Sequence, residues 1–197
     1  MQNILCNIEE SSLIIIDVQE KLTNSIPDKV IKRLRKNTAI LLNAANELNI
    51  PVVTTVQYPK GLGETEAFIK ENLASSTVTF EKTCFSCLGA DGLKEHLTSL
   101  NKKQIILTGV EAHICIFQSA VELKFAGFDV YVVIDAIASR DFTSYESALM
   151  RLKEANISLL NTESVLFEWL RDASHEKFKT IIKLISQKGQ ELSIFPY

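Results

Sequence analysis

Apolar residues along this chain alternate between two spacings. Leu13-Ile-Ile-Ile16 is a continuous apolar run ending at Asp17-Val-Gln19, the pattern of a parallel strand buried on both faces. Val30, Leu34, Leu41, Ala45 and Leu48 then fall on one helical face, with Asp28 after Pro27 as the N-cap and Asn49-Ile50-Pro51 as the stop. A second strand at 52–56 leads into Gln57-Tyr-Pro-Lys-Gly-Leu-Gly63, whose glycines and proline predict a loop. A short helix follows at about 64–72. A strand at 77–80 runs into Glu81-Lys82, and another helix spans 91–100. A fourth strand, 105–107, breaks at Gly109. Beyond it Ile114, Phe117, Val121 and Phe125 recur at helical spacing, so a helix begins with Cys115 in or near its first turn and ends at Gly127. A strand at 130–134, a helix at about 142–154 and a strand at 157–160 complete the alternation. Helices at 164–170 and about 174–187 come last, the longer one striped by Phe178, Ile181, Ile182 and Ile185. This stripe either closes the domain's own sheet or packs on another subunit. The expectation is its own sheet, with a subunit contact nearby. The closing Ser193-Ile-Phe-Pro-Tyr197 is expected to be loosely held.

Six strands joined by helical crossovers predict an α/β fold: a doubly wound parallel sheet of order 3-2-1-4-5-6 with helices on both faces. In such sheets the ligand crevice lies beyond the carboxyl ends of the strands, where the order reverses. Asp17 follows strand one, Lys82 follows strand three and Cys115 follows strand four, so all three belong to one rim.

Composition narrows the class. The 197 residues are 46% hydrophobic, which suits a single domain, 1–197, with a substantial core. A net charge of −3 without a basic stripe or aromatic RNA-binding signature argues against nucleic acid. The run at 13–16 is too short for a membrane span or a signal peptide. Four cysteines without a secretory signal predict free thiols in the cytoplasm.

A thiol at a helix start meets unpaired backbone N–H groups and the positive end of the helix dipole, both of which favour the thiolate. The same N–H groups could hold an oxyanion. Cys115 is therefore either a nucleophile or, as most free cysteines are, a small buried hydrophobe. Lys82 would lower its pKa by charge, and Asp17 could carry its proton to a leaving group. The plain alternatives are a turn residue for Asp17 and a solvated lysine for Lys82.

Taken together, these motifs resemble the isochorismatase-like, or cysteine hydrolase, superfamily. The resemblance rests on Asp17-Val-Gln19, Lys82-Thr83 and Gly109-Val-Glu-Ala-His-Ile-Cys115, each after an apolar strand. Gln57-Tyr-Pro-Lys-Gly-Leu-Gly63, Lys82-Thr-Cys-Phe-Ser86, Asp135-Ala136, Ser139-Arg140, Asp172-Ala-Ser-His175 and Phe178-Lys179 are similar to the isochorismatase domain-containing protein 2 subgroup. The resemblance covers about residues 8–187. It implies a catalytic triad of Asp17, Lys82 and Cys115 and a cis peptide between Val110 and Glu111. It further implies an oxyanion hole from the Glu111 and Cys115 N–H groups, and hydrolysis of an amide or related acyl group through a Cys115 thioester. Relatives are often dimers or larger, so a homo-oligomer (dimer or tetramer) is expected.

Two departures refine this. Nicotinamidases of the superfamily carry an aspartate and histidines after the second strand that bind a metal. Gln57-Tyr58-Pro59 stands there instead, a poor divalent-metal site, so neither a catalytic metal nor another cofactor is expected. True isochorismatases cleave a vinyl ether and need no cysteine at the nucleophile position. Gln19, Tyr58, Leu62, Phe85, Ile116 and Phe117 are candidate substrate contacts, the first four by loop placement and the last two by adjacency to Cys115. Cys84-Phe-Ser-Cys87 has CxxC spacing but lacks a second ligand pair for zinc, and is expected to line the pocket wall. His113 is too close in sequence to face Cys115 along a helix. His175 is expected to cap or pack the last helix and His96 to lie on the surface. The competing reading is a non-catalytic binding protein of the same fold, with Cys115 perceiving oxidants.

Overall fold

A computed structural model describes residues 4–186. Six strands form one parallel sheet: β1 (Ser11–Ile16), β2 (Val52–Gln57), β3 (Val78–Lys82), β4 (Gln104–Val110), β5 (Asp129–Ala138) and β6 (Ser158–Leu160). Their order is β3-β2-β1-β4-β5-β6. Every residue of β1, β2 and β4 is buried, as expected of central strands covered on both faces.

Alternation within the strands divides the core in two. Leu13, Ile15, Ile106, Val110, Tyr131 and Val133 face one layer, built with α2 (Asp28–Glu47), α8 (Thr162–Leu170) and α9 (Phe178–Ser186). Ile14, Ile16, Val53, Ile105, Leu107, Val130 and Val132 face the other, built with α5 (Leu93–Ser99), α6 (Phe117–Phe125) and α7 (Phe142–Glu154). The stripe of α9 packs on its own chain: Ile181 is fully buried, and Phe178, Leu184 and Ile185 lean on the first layer. The segment 193–197 lies outside the described residues.

Several elements differ from the sequence reading for identifiable reasons. Pro27 is the N-cap of α2, and Asp28 is its first helical residue, where its charge meets the helix dipole. The stretch after β2 is a single turn, α3 (Pro59–Leu62), started by Pro59, while the helix expected at 64–72 shrinks to α4 (Ala67–Lys70). A four-residue turn, α1 (Glu20–Thr23), precedes α2.

Gly109 does not break β4. It has φ 119°, and a Cβ there would overlap the Ile16 carbonyl, so this glycine lets β4 run on against β1.

The helix after β4 buries a different face from the one predicted. Ala112, Cys115, Ile116, Ser119, Ala120 and Leu123 point inward, whereas Phe125 is 87% exposed. Four of these six side chains are small, and a pattern read from large apolar residues passes over them.

Candidate active site

The ends of β1, β3 and β4 converge where strand order reverses. Asp17 follows β1 with φ 52°, a left-handed conformation in which aspartate is enriched. Its N–H donates to the Thr55 carbonyl at 3.1 Å, and the Thr55 hydroxyl donates to Asp17 Oδ1 at 2.7 Å. The parallel register fixes this, since Ile16 pairs with Thr55.

Lys82 ends β3 beside Gln57. Its Nζ donates to Asp17 Oδ2 at 2.6 Å and Gln57 Oε1 at 3.2 Å, and to the carbonyls of Cys84 at 3.2 Å and Phe85 at 3.1 Å. The Cys115 Sγ lies 3.8 Å away. Neither charged side chain has any exposed surface. Two buried charges are expensive unless paired and hydrogen-bonded, and the ring of oxygens around Nζ meets that condition.

Cys115 sits in a π turn, Ala112–Ile116, that precedes α6, in which the Ile116 N–H reaches back to the Glu111 carbonyl at 3.2 Å. π turns are rare and frequently mark functional sites. Cys115 is 6% exposed, and the Asp17 carboxylate, the Lys82 ammonium and the Glu111 backbone all act on its thiol. Its pKa corrects the expectation of a resting thiolate: the thiol is pushed up to about 12. Burial is the largest cause, followed by the Asp17 charge. The Lys82 ammonium and the Glu111 N–H pull the other way and do not prevail. The sulfur therefore rests as a neutral thiol.

The Val110–Glu111 peptide is cis. The Glu111 side chain is held by Arg140, whose N–H and Nε donate to Oε2 at 3.1 and 3.0 Å and whose Nη2 donates to Oε1. Burial alone would raise the Glu111 carboxyl, but the bonds from Arg140 outweigh it and hold the group below the ordinary carboxylate range.

The candidate substrate contacts separate into groups. Gln19 is fully buried, its amide donating to the Gln57 carbonyl at 3.0 Å and accepting the Gln57 N–H at 2.7 Å. It ties the end of β2 to the end of β1. Tyr58, φ 37° and 53% exposed, lies with its ring against Gly61 at the rim. Leu62 is half-buried nearby, and Phe85 is 51% exposed while its carbonyl touches Lys82. Ile116 is fully buried in the second core layer. Phe117 is half-buried beneath the Arg151 guanidinium, 3.8 Å from the ring centre. The contacts of Ile116 and Phe117 are thus with the core and with α7.

Among the other singled-out residues, His113 Nδ1 meets Ser139 Oγ at 2.9 Å, His175 Nδ1 accepts the Lys177 N–H at 3.1 Å, and His96 stacks by Phe80. All four cysteines are free. Cys84 presents its carbonyl to Lys82, while Cys87 is fully buried and pushed up to about 12 by that burial. Among the described residues no group of three His, Cys, Asp or Glu side chains is arranged to hold a metal, and no helix is long and apolar enough to cross a membrane. Reading motifs alone passed over Thr55 and the Gln57–Lys82 contact. Aligning the predicted strand ends would have brought both into view.

Comparison with known proteins places this geometry among relatives. Residues 11–164 match the Isochorismatase domain. The chain is 35% identical to isochorismatase family protein 1B of Dictyostelium discoideum, covering 95% of this chain and 92% of that one. It is 36% identical to isochorismatase domain-containing protein 2 of Danio rerio, again covering 95% and 92%. The solved structure of MAR1 ribonuclease from Caenorhabditis elegans superposes with a TM-score of 0.88 at 33% identity, covering 98% of both chains.

Proposed function

The chain belongs to the isochorismatase family, and from that premise we propose that it is a metal-independent cysteine hydrolase of a small amide or related acyl compound. One observation carries the reading: Lys82 Nζ stands 2.6 Å from Asp17 Oδ2 and 3.8 Å from Cys115 Sγ, with all three groups withdrawn from bulk water.

In this reading Cys115 Sγ attacks the acyl carbon as its proton passes to Asp17, so the thiolate forms during attack rather than beforehand. The carbonyl oxygen becomes an oxyanion held by the Glu111 and Cys115 N–H groups. Lys82 keeps Asp17 in place and offsets the negative charge on sulfur. Collapse expels the amine, which takes the proton from Asp17 and leaves a thioester on Cys115. Water then gives a proton to Asp17 as it attacks the thioester. The acid departs and Asp17 returns that proton to sulfur. Metal independence is supported by Gln57, whose Oε1 accepts from Lys82 and whose Nε2 donates to the Thr83 carbonyl. Oε1, the atom a metal would need, already faces the Lys82 ammonium.

The C. elegans relative is described as a ribonuclease. For this chain, a net charge of −3 and a recessed thiol favour a small carbonyl compound over a polyanion. A second reading, a non-catalytic binding or redox-sensing protein, draws on the raised thiol pKa. Incubation with a panel of small amides and thioesters, followed by acid release and intact mass, separates the two. Acyl adducts on Cys115 that turn over, and that vanish in Cys115→Ala, support the hydrolase. A panel with no adduct and no release above the Cys115→Ala background would falsify it.

A further inference from the structure

The Ser139-Arg140 pair at the end of β5 has no part in the chemistry above, yet it grips the residue that supplies an oxyanion donor. The Glu111 backbone lowers the pKa of the Cys115 thiol, and its carboxylate accepts from Arg140. The carboxylate is 5% exposed and the Arg140 side chain 54% exposed, so a surface cation reaches inward to a buried acid. Three donors of Arg140, one of them from the backbone, converge on the two oxygens of Glu111. Such a fork fixes both position and orientation. Next to it, the Ser139 hydroxyl meets His113 Nδ1 at 2.9 Å, joining the same strand end to the π turn a second time.

We propose that Arg140 is a positioning residue for the oxyanion hole, acting through the Glu111 side chain to aim the Glu111 N–H. The proposal rests on the hydrolase reading. The hydrogen bonds of the Arg140 guanidinium run to Glu111 and not to Cys115, Asp17 or Lys82. Its effect therefore falls on the tetrahedral oxygen and on the sulfur that share the Glu111 N–H, and not on the Asp17–Lys82 pair. Strand β5 supports this division. The β4–β5 register jumps, Leu107 pairing with Val132 but Gly109 with Ile137, and the irregularity carries β5 on to Ala138, beside Ser139 and Arg140.

The test uses two probes on the whole protein. A small aliphatic aldehyde, propionaldehyde, adds reversibly to Cys115 as a hemithioacetal, whose oxygen needs the hole. Iodoacetamide alkylates the same sulfur by displacement and forms no oxyanion. In Arg140→Ala, aldehyde protection against alkylation should weaken about tenfold to a hundredfold, the scale of a misplacement near 1 Å. The limiting alkylation rate should change less, while its pH midpoint moves upward because the sulfur loses a well-aimed donor. Arg140→Lys, which keeps the charge and the backbone donor, should recover part of the protection, and Arg140→Gln serves where alanine impairs folding. Unchanged aldehyde protection in both Arg140→Ala and Arg140→Gln overturns the clamp and leaves the hydrolase reading intact. Absence of protection in the native protein overturns both.

Discussion

The two ends of the sheet bury polar groups equally well and for different ends. At the amino-terminal edge Gln104 is 1% exposed and surrounded by neutral partners. Its Oε1 accepts the Asn7 N–H at 2.8 Å and the Ser11 hydroxyl at 3.4 Å, and its Nε2 donates to the Leu5 carbonyl at 3.1 Å and the Tyr131 hydroxyl at 3.2 Å. Trp169 adds its indole N–H to Ser11 at 3.0 Å. At the carboxyl edge the buried groups are an ammonium, a carboxylate and a thiol. A neutral amide with its bonds made stabilises the fold at modest cost. A buried ion pair is weak evidence for stability, because apolar residues of equal volume often serve as well. The contrast points to chemistry at the edge that keeps its charges.

Substitutions at the two edges should therefore behave differently. Cys115→Ala is expected to lower kcat/KM on the order of 10⁴-fold or more, the scale of removing a nucleophile, as read by steady-state kinetics on any turned-over amide. Asp17→Asn should cost about 10²–10⁴-fold as the base disappears. The same change should make the thiol more acidic, since the Asp17 charge and its hydrogen bond both raise that pKa. Thiolate absorbance titrated alongside activity would show the two moving in opposite directions. A thiol that becomes less acidic would refute the assigned geometry.

Lys82→Met leaves Asp17 buried without its cation and should destabilise by about 3–5 kcal/mol in chemical denaturation. It should also push the thiol pKa higher still. Gln104→Leu, at the neutral edge, should cost only about 1–3 kcal/mol and leave alkylation of Cys115 untouched. If Gln104→Leu altered that alkylation, the two edges would not be independent.

A further expected effect is alkaline. Burial raises the pKa of Cys6, Cys87 and Cys115 above the ordinary 9.0, so the folded chain keeps protons that the unfolded chain releases. Stability is then full below pH 9.0 and falls as pH climbs towards about 12, by at most about 1.4 kcal/mol per pH unit for each thiol. Cys87→Ala should flatten this slope by one thiol's share, measured as denaturation midpoints across that window.

Much of this was legible in the sequence because it depends on strand ends. The apolar run at 13–16, the β-branched run into Lys82 and the run before Gly109 fix three strand termini, and the crossover rule brings them to one rim. The observed order β3-β2-β1-β4-β5-β6 agrees with that reading. What escaped depends on depth and on small side chains. The inward face of the helix after β4 sets Ala112, Ser119 and Ala120 among Cys115, Ile116 and Leu123, and those three small residues carry little hydropathy signal. In the sequence, Lys82 at the same rim as Cys115 argues for a thiolate. How completely burial and Asp17 counter it emerges only once exposure is known. Arg140 stood in a visible motif, but its partner lies 29 positions earlier in the chain, a distance no local pattern bridges.

Gly109 leaves no latitude at this junction. With the backbones of β1 and β4 pressed together at that residue, even the single methyl of Gly109→Ala would have to part the two strands from whose ends Asp17 and Cys115 follow.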